Sequence, residues 1–578
     1  MLKMAKRLAK CIRENKFLTL ISPVFVVGEC ILEILIPYYM ADLIDKGIEM
    51  GDMAVISSYG LKLSIFAILS LLFGILGAIT ATRASAGFAK NLTHDMYHHI
   101  QEFSFANIDK FSTAGLTTRL TTDVSNVQMA FQMLIRGAMR APTMLILTLI
   151  MSFKIHDKLP FVFVCIIPIL GTGFYIIFKN AMPLFEKVFK LYDKLNNVVQ
   201  ENLRGIRVVK SFVREDYETE KFKAASKEMY DTNLKAEYIM AAMMPLMQTS
   251  TYICTLLLSW FGAKLIIVES LTTGQLMSMM TYIIHILISL MFLSMIIMMS
   301  SIATAAGKRI CEVLDEVPDI QNIENPITEI NSGAIEFRNV NFGYPNCSDC
   351  LTSINLNIKP GMTVGIIGGT GSGKTSLVQL IPRLYEARTG EVLVDGHNVK
   401  EIDMFALRKN VSMVLQKNVL FSGTIAENLR WGNPNATGEQ LIAACKAAQA
   451  DDFISSFKEG YNYMLDQGGT NLSGGQRQRV CIARAMLAEP KILILDDSTS
   501  AVDTATDAKI RKAFKESLPD TTKLIIAQRI SSVQDADLIV VLDGGKINGL
   551  GTHEELVKTN DIYREVYEAQ TKDGDFDA

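Results

Sequence analysis

Between Ile239 and Ser300 the chain carries only two charged side chains, Lys264 and Glu269. So long a stretch with so little charge is foreign to a water-soluble fold. It holds two runs of about 20 apolar residues, each long enough to cross a bilayer as a helix. Similar runs lie near 17–40, 57–80, 134–154 and 159–180, the third less clean because Arg136 and Arg140 stand at its start. Six transmembrane helices are therefore expected, more than one buried helical core would imitate. Composition agrees: 49% of residues are hydrophobic and only 20% charged, and the mean hydropathy is +0.24. A net charge of −3 excludes a basic nucleic-acid binder, and nine Cys in 578 residues exclude a disulfide scaffold.

Lys3, Lys6, Arg7, Lys10, Arg13 and Lys16 place the N-terminus on the cytoplasmic side. Leu2, Ala5, Leu8, Ala9 and Ile12 share a helical face, the pattern of an amphipathic helix along the inner leaflet. The loops after spans two and four, 81–133 and 181–238, are then cytoplasmic. Both mix charges with spaced apolar residues and read as helical extensions of the spans. Their turn segments are expected near Asp109–Asp123, broken at Gly115, and near Asn202–Phe212, broken at Gly205.

After Ser300 the texture changes. The expected organisation is an all-α membrane domain over 1–311 and a linker over 312–333, with Pro318 and Pro326. An α/β domain follows over 334–571, then a short acidic, disordered tail over 572–578. Apolar runs at Val364–Ile367, Val411–Leu415, Ile492–Leu495, Lys523–Ala527 and Leu538–Leu542 alternate with helical segments, which predicts a mostly parallel sheet.

Gly368-Gly369-Thr370-Gly371-Ser372-Gly373-Lys374-Thr375 follows the first of these strands and opens a helix at Ser376. Glycines let backbone N–H groups close on phosphate oxygens, Lys374 reaches the β/γ-phosphates, and the Thr375 hydroxyl suits Mg²⁺. Asp496 ends the strand Ile492–Leu495, the position from which a carboxylate holds the same Mg²⁺ through water. Ser473-Gly474-Gly475-Gln476, before the basic Arg477-Gln478-Arg479, is a second anion cradle at a helix start.

The order of P-loop, Gln416 loop, Leu472-Ser473-Gly474-Gly475-Gln476, the strand ending Asp496-Asp497, and Ser500-Ala501-Val502-Asp503 resembles the ATP-binding cassette (ABC) family over essentially the whole chain. The six spans with long loops resemble its exporter half-transporters, as do Glu201–Lys210 and Thr113–Leu120. The resemblance implies a six-helix transmembrane domain with cytoplasmic helical extensions, fused to a C-terminal α/β P-loop ATPase domain. It implies that Tyr344 stacks on adenine, that Gln416 senses the γ-phosphate and Mg²⁺, and that Asp503 reaches across a dimer. It also implies ATP and Mg²⁺ as ligands. Each ATP lies between one P-loop and the other subunit's signature, so one chain alone cannot complete a site.

The pattern is broken at the hydrolytic centre. Asp497 stands where the family has its general-base Glu, Gln528 where it has the switch His, and Gln467 where an acidic residue precedes the signature. One methylene less retracts a carboxylate by about 1.5 Å, a misplacement that can cost on the order of 10²-fold in rate. Gln can donate a hydrogen bond but cannot carry a proton. The expected assembly is a heterodimer with an unlike half-transporter that carries Glu and His, in which this chain's own site hydrolyses weakly. A homodimer with two slow sites is the alternative.

The expected activity is ATP-driven efflux of amphipathic compounds, multiple drugs among them, across a bacterial plasma membrane. Lipid or peptide export and an ATP-gated regulatory subunit remain alternatives. Met residues crowd spans five and six, among them Met244, Met277, Met279 and Met295, and read as lipid-facing or packing residues or as an adaptable binding surface. Glu29 and Glu33, four apart on span one, suit either a structural ion pair or a cationic substrate. His285 in span six faces the same choice between a functional and a structural role, with an interhelical hydrogen bond the favoured reading. Cys347 and Cys350 form one C-x-x-C, read as surface thiols, and His94 and His98 share a solvated helical face.

Overall fold

The computed structural model describes residues 2–345, 347–497 and 502–574. The chain divides into two compact units. One comprises the residues up to Gln101 together with Ala114–Glu316. The other comprises Glu102–Thr113 together with the chain from Val317 onward.

In chain order the first helices are α1 (Leu2–Ala9), α2 (Lys16–Leu43), α3 (Met53–Gln101), α4 (Phe105–Phe111), α5 (Thr113–Thr118), α6 (Val124–Ile155), α7 (Phe161–Arg204), α8 (Ile206–Ser211), α9 (Glu215–Ala241), α10 (Met243–Ile267) and α11 (Thr273–Leu314). Six helical stretches among the described residues are long and apolar enough to cross a membrane: Lys3–Ile48, Met53–Gln101, Thr113–Ile155, Phe161–Arg204, Glu215–Ile267 and Thr273–Leu314. At 49 and 44 residues, α3 and α7 far exceed the roughly 20 that a bilayer requires, so the expected extensions are present. Gly205 ends α7 as anticipated, but Gly115 lies inside α5. The break falls instead at Ser112, whose φ is +57° and which ends α4, the short helix that a Ser104–Asn107 capping box starts.

The N-terminal helix α1 exists, and its buried Leu8 and half-buried Met4 lie against Gly307 of α11. Arg7 ties it there by donating to the Leu314 carbonyl at 3.0 Å. Within the membrane core, α11 holds α2 through Ser278 and Tyr282, which donate to the carbonyls of Pro37 and Ile34, in the turn that Pro37 loosens. His285 is half-buried, and its ring makes no hydrogen bond among the described residues, contrary to expectation. The polar contacts between α2 and α11 are made by Ser278 and Tyr282 instead.

Glu29 and Glu33 are both paired. Arg140 of α6 reaches Glu29 Oε1 at 2.6 Å and Glu33 Oε2 at 2.8 Å, so the untidy start of span three is an ion-pair partner. Only Glu29 is buried and Glu33 and Arg140 are half-buried, so the roughly 3–5 kcal/mol cost of removing one member of a fully buried cluster is an upper bound, whereas replacing all members with apolar groups is often neutral. Arg140→Met should therefore lower the melting temperature in detergent, and the all-apolar variant E29M/E33M/R140M should recover most of the loss. An R140M protein that melts like the parent would contradict this.

The α/β unit is built on a six-stranded sheet ordered Lys546–Gly551, Leu538–Asp543, Thr363–Gly368, Thr522–Ile526, Ile492–Asp496, Val411–Val414. All neighbours are parallel except the first pair. Every residue of Ile492–Asp496 and Thr522–Ile526 is buried, as in strands covered on both faces. A second, antiparallel sheet pairs Ile335–Phe342 with Leu351–Ile358 and Thr389–Val394. Sequence reasoning missed it, because its strands are half-exposed and interrupted by register shifts. The segment 312–333 is less free than a linker: α11 runs into it, Ile320 and Ile330 are buried, and Ile327 bridges to Ile402. A helix, Asp561–Gly574, covers the start of the expected tail, and 575–578 lie outside the described residues.

Candidate functional site

Parallel strands bring their C-terminal ends to one edge, and three of them deliver the candidate residues. Thr363–Gly368 runs into the P-loop, Ile492–Asp496 ends in the two carboxylates, and Thr522–Ile526 leads to Gln528. Together they line a cleft of about 520 Å³ whose walls include Tyr344, Gly368 to Ser376, Gln416, Asp496, Asp497 and Gln528.

The P-loop requires glycine at two points. Gly371 and Gly373 hold φ of +81° and +92°, and a Cβ on Gly373 would stand 2.7 Å from Leu351. Around Gly369 and Gly371 an added Cβ would meet nothing within 4 Å, so the backbone faces open space on that side. Lys374 follows at the first turn of its helix and donates to the Gly368 and Gly369 carbonyls, both at 2.8 Å. Burial holds its ammonium below the ordinary lysine range. The Ser372 hydroxyl is buried without a partner among the described residues, an orphaned polar group inside the anion cradle.

Thr375 Oγ1 lies 3.0 Å from Asp496 Oδ1. A hydroxyl and a carboxylate so close are a hard-oxygen pair suited to Mg²⁺. Burial, above all, pushes the Asp496 carboxyl above the ordinary carboxylate range, and the bond from Thr375 opposes it. Asp497 is buried, with φ at +49° and its N–H bonded to the Ile526 carbonyl. Its Oδ2 accepts from Gln528 Nε2 at 2.8 Å, and its carboxyl is also hydrogen-bonded to Gln416. Burial raises this carboxyl too, against the lowering by Gln528 and Gln416.

Tyr344 is half-buried, its hydroxyl 3.0 Å from Ser376 Oγ. Ser473 caps the helix Gly474–Leu487 through a capping box with Gln476, but neither they nor Asp503 line the cleft. Asp503 is exposed and caps the helix Thr504–Ser517. Ser500 and Ala501 lie outside the described residues. Two glutamines escaped sequence reasoning. Gln478 is buried and donates to the Asp497 carbonyl at 3.4 Å, and Gln570 donates to the Gln528 carbonyl at 2.8 Å. No local spacing marks either one. Cys350 lines the cleft and Cys347 is exposed; the rings of His94 and His98 stand 4.3 Å apart.

Comparison with known proteins agrees with this anatomy. Residues 19–291 match the ABC transporter transmembrane region, and residues 351–500 match the ABC transporter family. The chain is 35% identical over 551 residues to the uncharacterized ABC transporter ATP-binding protein YfiB of Bacillus subtilis (strain 168), covering 95% of this chain and 96% of YfiB. It is 35% identical to Rv1273c of Mycobacterium tuberculosis (strain ATCC 25618 / H37Rv), covering 93% of both. Its fold matches a bacterial Atm1-family ABC exporter solved with ATP bound, at a TM-score of 0.79 and 23% identity, over 97% of this chain and 98% of that one. With a membrane-spanning helical unit joined to one P-loop cassette, the chain belongs to the ABC transporter family, as a half-transporter of exporter fold that couples ATP hydrolysis to transport across a membrane.

Proposed function

We propose that this chain is the impaired-site subunit of a heterodimeric exporter of amphipathic compounds, multi-pass in the plasma membrane with its cassette in the cytoplasm. The carrying observation is the 2.8 Å bond that commits the Asp497 carboxylate to Gln528. A general base must reach the water that attacks the γ-phosphate. Asp497 stands where a longer Glu serves in the family, and its carboxylate is already engaged by two amide side chains. Gln528 cannot ionise. ATP is held by the P-loop amides, Lys374 and a stack on Tyr344, with Thr375, Asp496 and Gln416 around Mg²⁺, which neutralises phosphate charge when bound. Ser473, Gly474, Gly475 and Gln476, remote from this cleft, complete the competent site of an unlike partner, and Asp503 meets that partner's nucleotide.

Support for an adaptable substrate surface comes from Met244, Met277 and Met295, which stand exposed on α10 and α11, while Met279 is fully buried as packing.

Two measurements test this reading. The purified chain alone should turn over ATP far more slowly than the complex with its partner; equal rates would refute the heterodimer. In the complex, Asp497→Asn should change turnover less than about twofold, because the amide keeps the geometry of a group that does little chemistry.

A further inference from the structure

Helix α4 has only seven residues, too few to hold its shape without outside contacts. It belongs to the α/β unit and is fastened there at two places. Buried Asn107 donates to the Val317 carbonyl at 3.3 Å and accepts from the Asp319 N–H at 3.2 Å. Tyr385 makes the second attachment. Its ring stacks on Phe105, with centroids 6.0 Å apart and planes at 29°, and its hydroxyl donates to Asp109 Oδ2 at 2.7 Å.

On its other side Tyr385 packs against Tyr344, whose side chain lines the nucleotide cleft. Its ring meets Tyr344 edge-on, with centroids 5.2 Å apart at 88°, and Phe342 at 5.8 Å. Tyr344 in turn reaches Ser376 and Gln379 of the helix that follows the P-loop. Two aromatic side chains thus bridge the P-loop helix and α4. Aromatic rings are rigid and orient one another edge to face, so fixing one plane restricts the next.

We infer that Tyr385 is a positioning residue that ties the ring of Tyr344 to helix α4, so that a purine base stacked on Tyr344 orders α4 and, through the continuous chain, the ends of α3 and α5. This rests on Tyr344 being the base-stacking residue. Burial first, and then the hydrogen bond to the Asp109 carboxylate, raise the Tyr385 hydroxyl above its ordinary value, so it stays a donor to Asp109.

The test is hydrogen exchange of the Phe105–Phe111 amides, with and without Mg²⁺-ATP, on the full chain in lipid nanodiscs. In the parent protein ATP should slow exchange there on the order of 10-fold. Tyr385→Ala and Tyr385→Phe should bind ATP within about threefold of the parent yet lose most of that slowing, while Asp109→Asn, whose amide oxygen still accepts, should keep it. A purely structural Tyr385 would raise exchange equally in both conditions and leave the ratio unchanged, which would overturn the relay. Tyr344→Ala separates the two claims. Undiminished ATP affinity in that variant would remove the base-stacking role. Weakened affinity, alongside Tyr385 variants with a normal ratio, would remove the relay alone. Should the alanine variant misfold, Tyr385→Phe alone decides.

Discussion

Asp497→Glu combined with Gln528→His should raise ATP turnover at this chain's own P-loop on the order of 10²-fold. The glutamate restores the methylene that places the carboxylate, and the histidine restores a side chain that can both donate to phosphate and exchange protons. The single changes should do much less. Gln528→His alone leaves a short carboxylate, and Asp497→Glu alone leaves Gln528 within reach to bind it, as it now binds Asp497 at 2.8 Å. The measurement is steady-state ATPase activity in a complex whose partner carries Gln at its catalytic glutamate, so that only this site contributes. A double variant no faster than the parent would move the block elsewhere, to the partner's signature segment that completes this site.

The opposite change comes from the signature. Gly474→Asp should lower turnover of the complex by about 10²- to 10³-fold, the usual cost of spoiling a preorganised anion-stabilising group. Gly474 is exposed at the first helical position after the Ser473 cap. An acidic residue there is favourable for the helix, by about 0.3–1 kcal/mol. Stability should therefore hold or rise while activity collapses, because the new carboxylate occupies the place intended for phosphate. Unchanged melting with lost turnover is the expected pair of results. Full activity would mean that this chain's signature completes no working site.

Features carried by contiguous residues were legible before any coordinates. The apolar runs could only be membrane helices, since charge is nearly absent from them. The P-loop is a single short segment, and its glycines stand where backbone geometry requires them. Strands covered on both faces read as unbroken apolar runs. Illegible features depended on pairing between distant segments. Arg140 lies 107 residues from Glu33, and nothing local announces their contact. The antiparallel sheet has exposed positions and register shifts that dilute its alternation. Gln478 and Gln570 act through backbone carbonyls, which any sequence supplies. His285, whose ring makes no hydrogen bond among the described residues, is the converse case: a polar residue in a span invites a partner, but the geometry gave the contact to its neighbours Ser278 and Tyr282.

The grouping of Glu102–Thr113 with the α/β unit makes the two units inseparable by a single cut. The backbone passes between them three times, after Gln101, after Thr113 and after Glu316. A cassette expressed from residue 317 would lack α4, leaving Tyr385 without Phe105 and Asp109, and the truncated membrane half would carry a detached loop. Gene fusions and domain exchanges between relatives should therefore fail when spliced only near residue 317, and should succeed when the 102–113 segment travels with the cassette. Two modules that look serial in sequence are thus interlaced, and they must be inherited as a matched set.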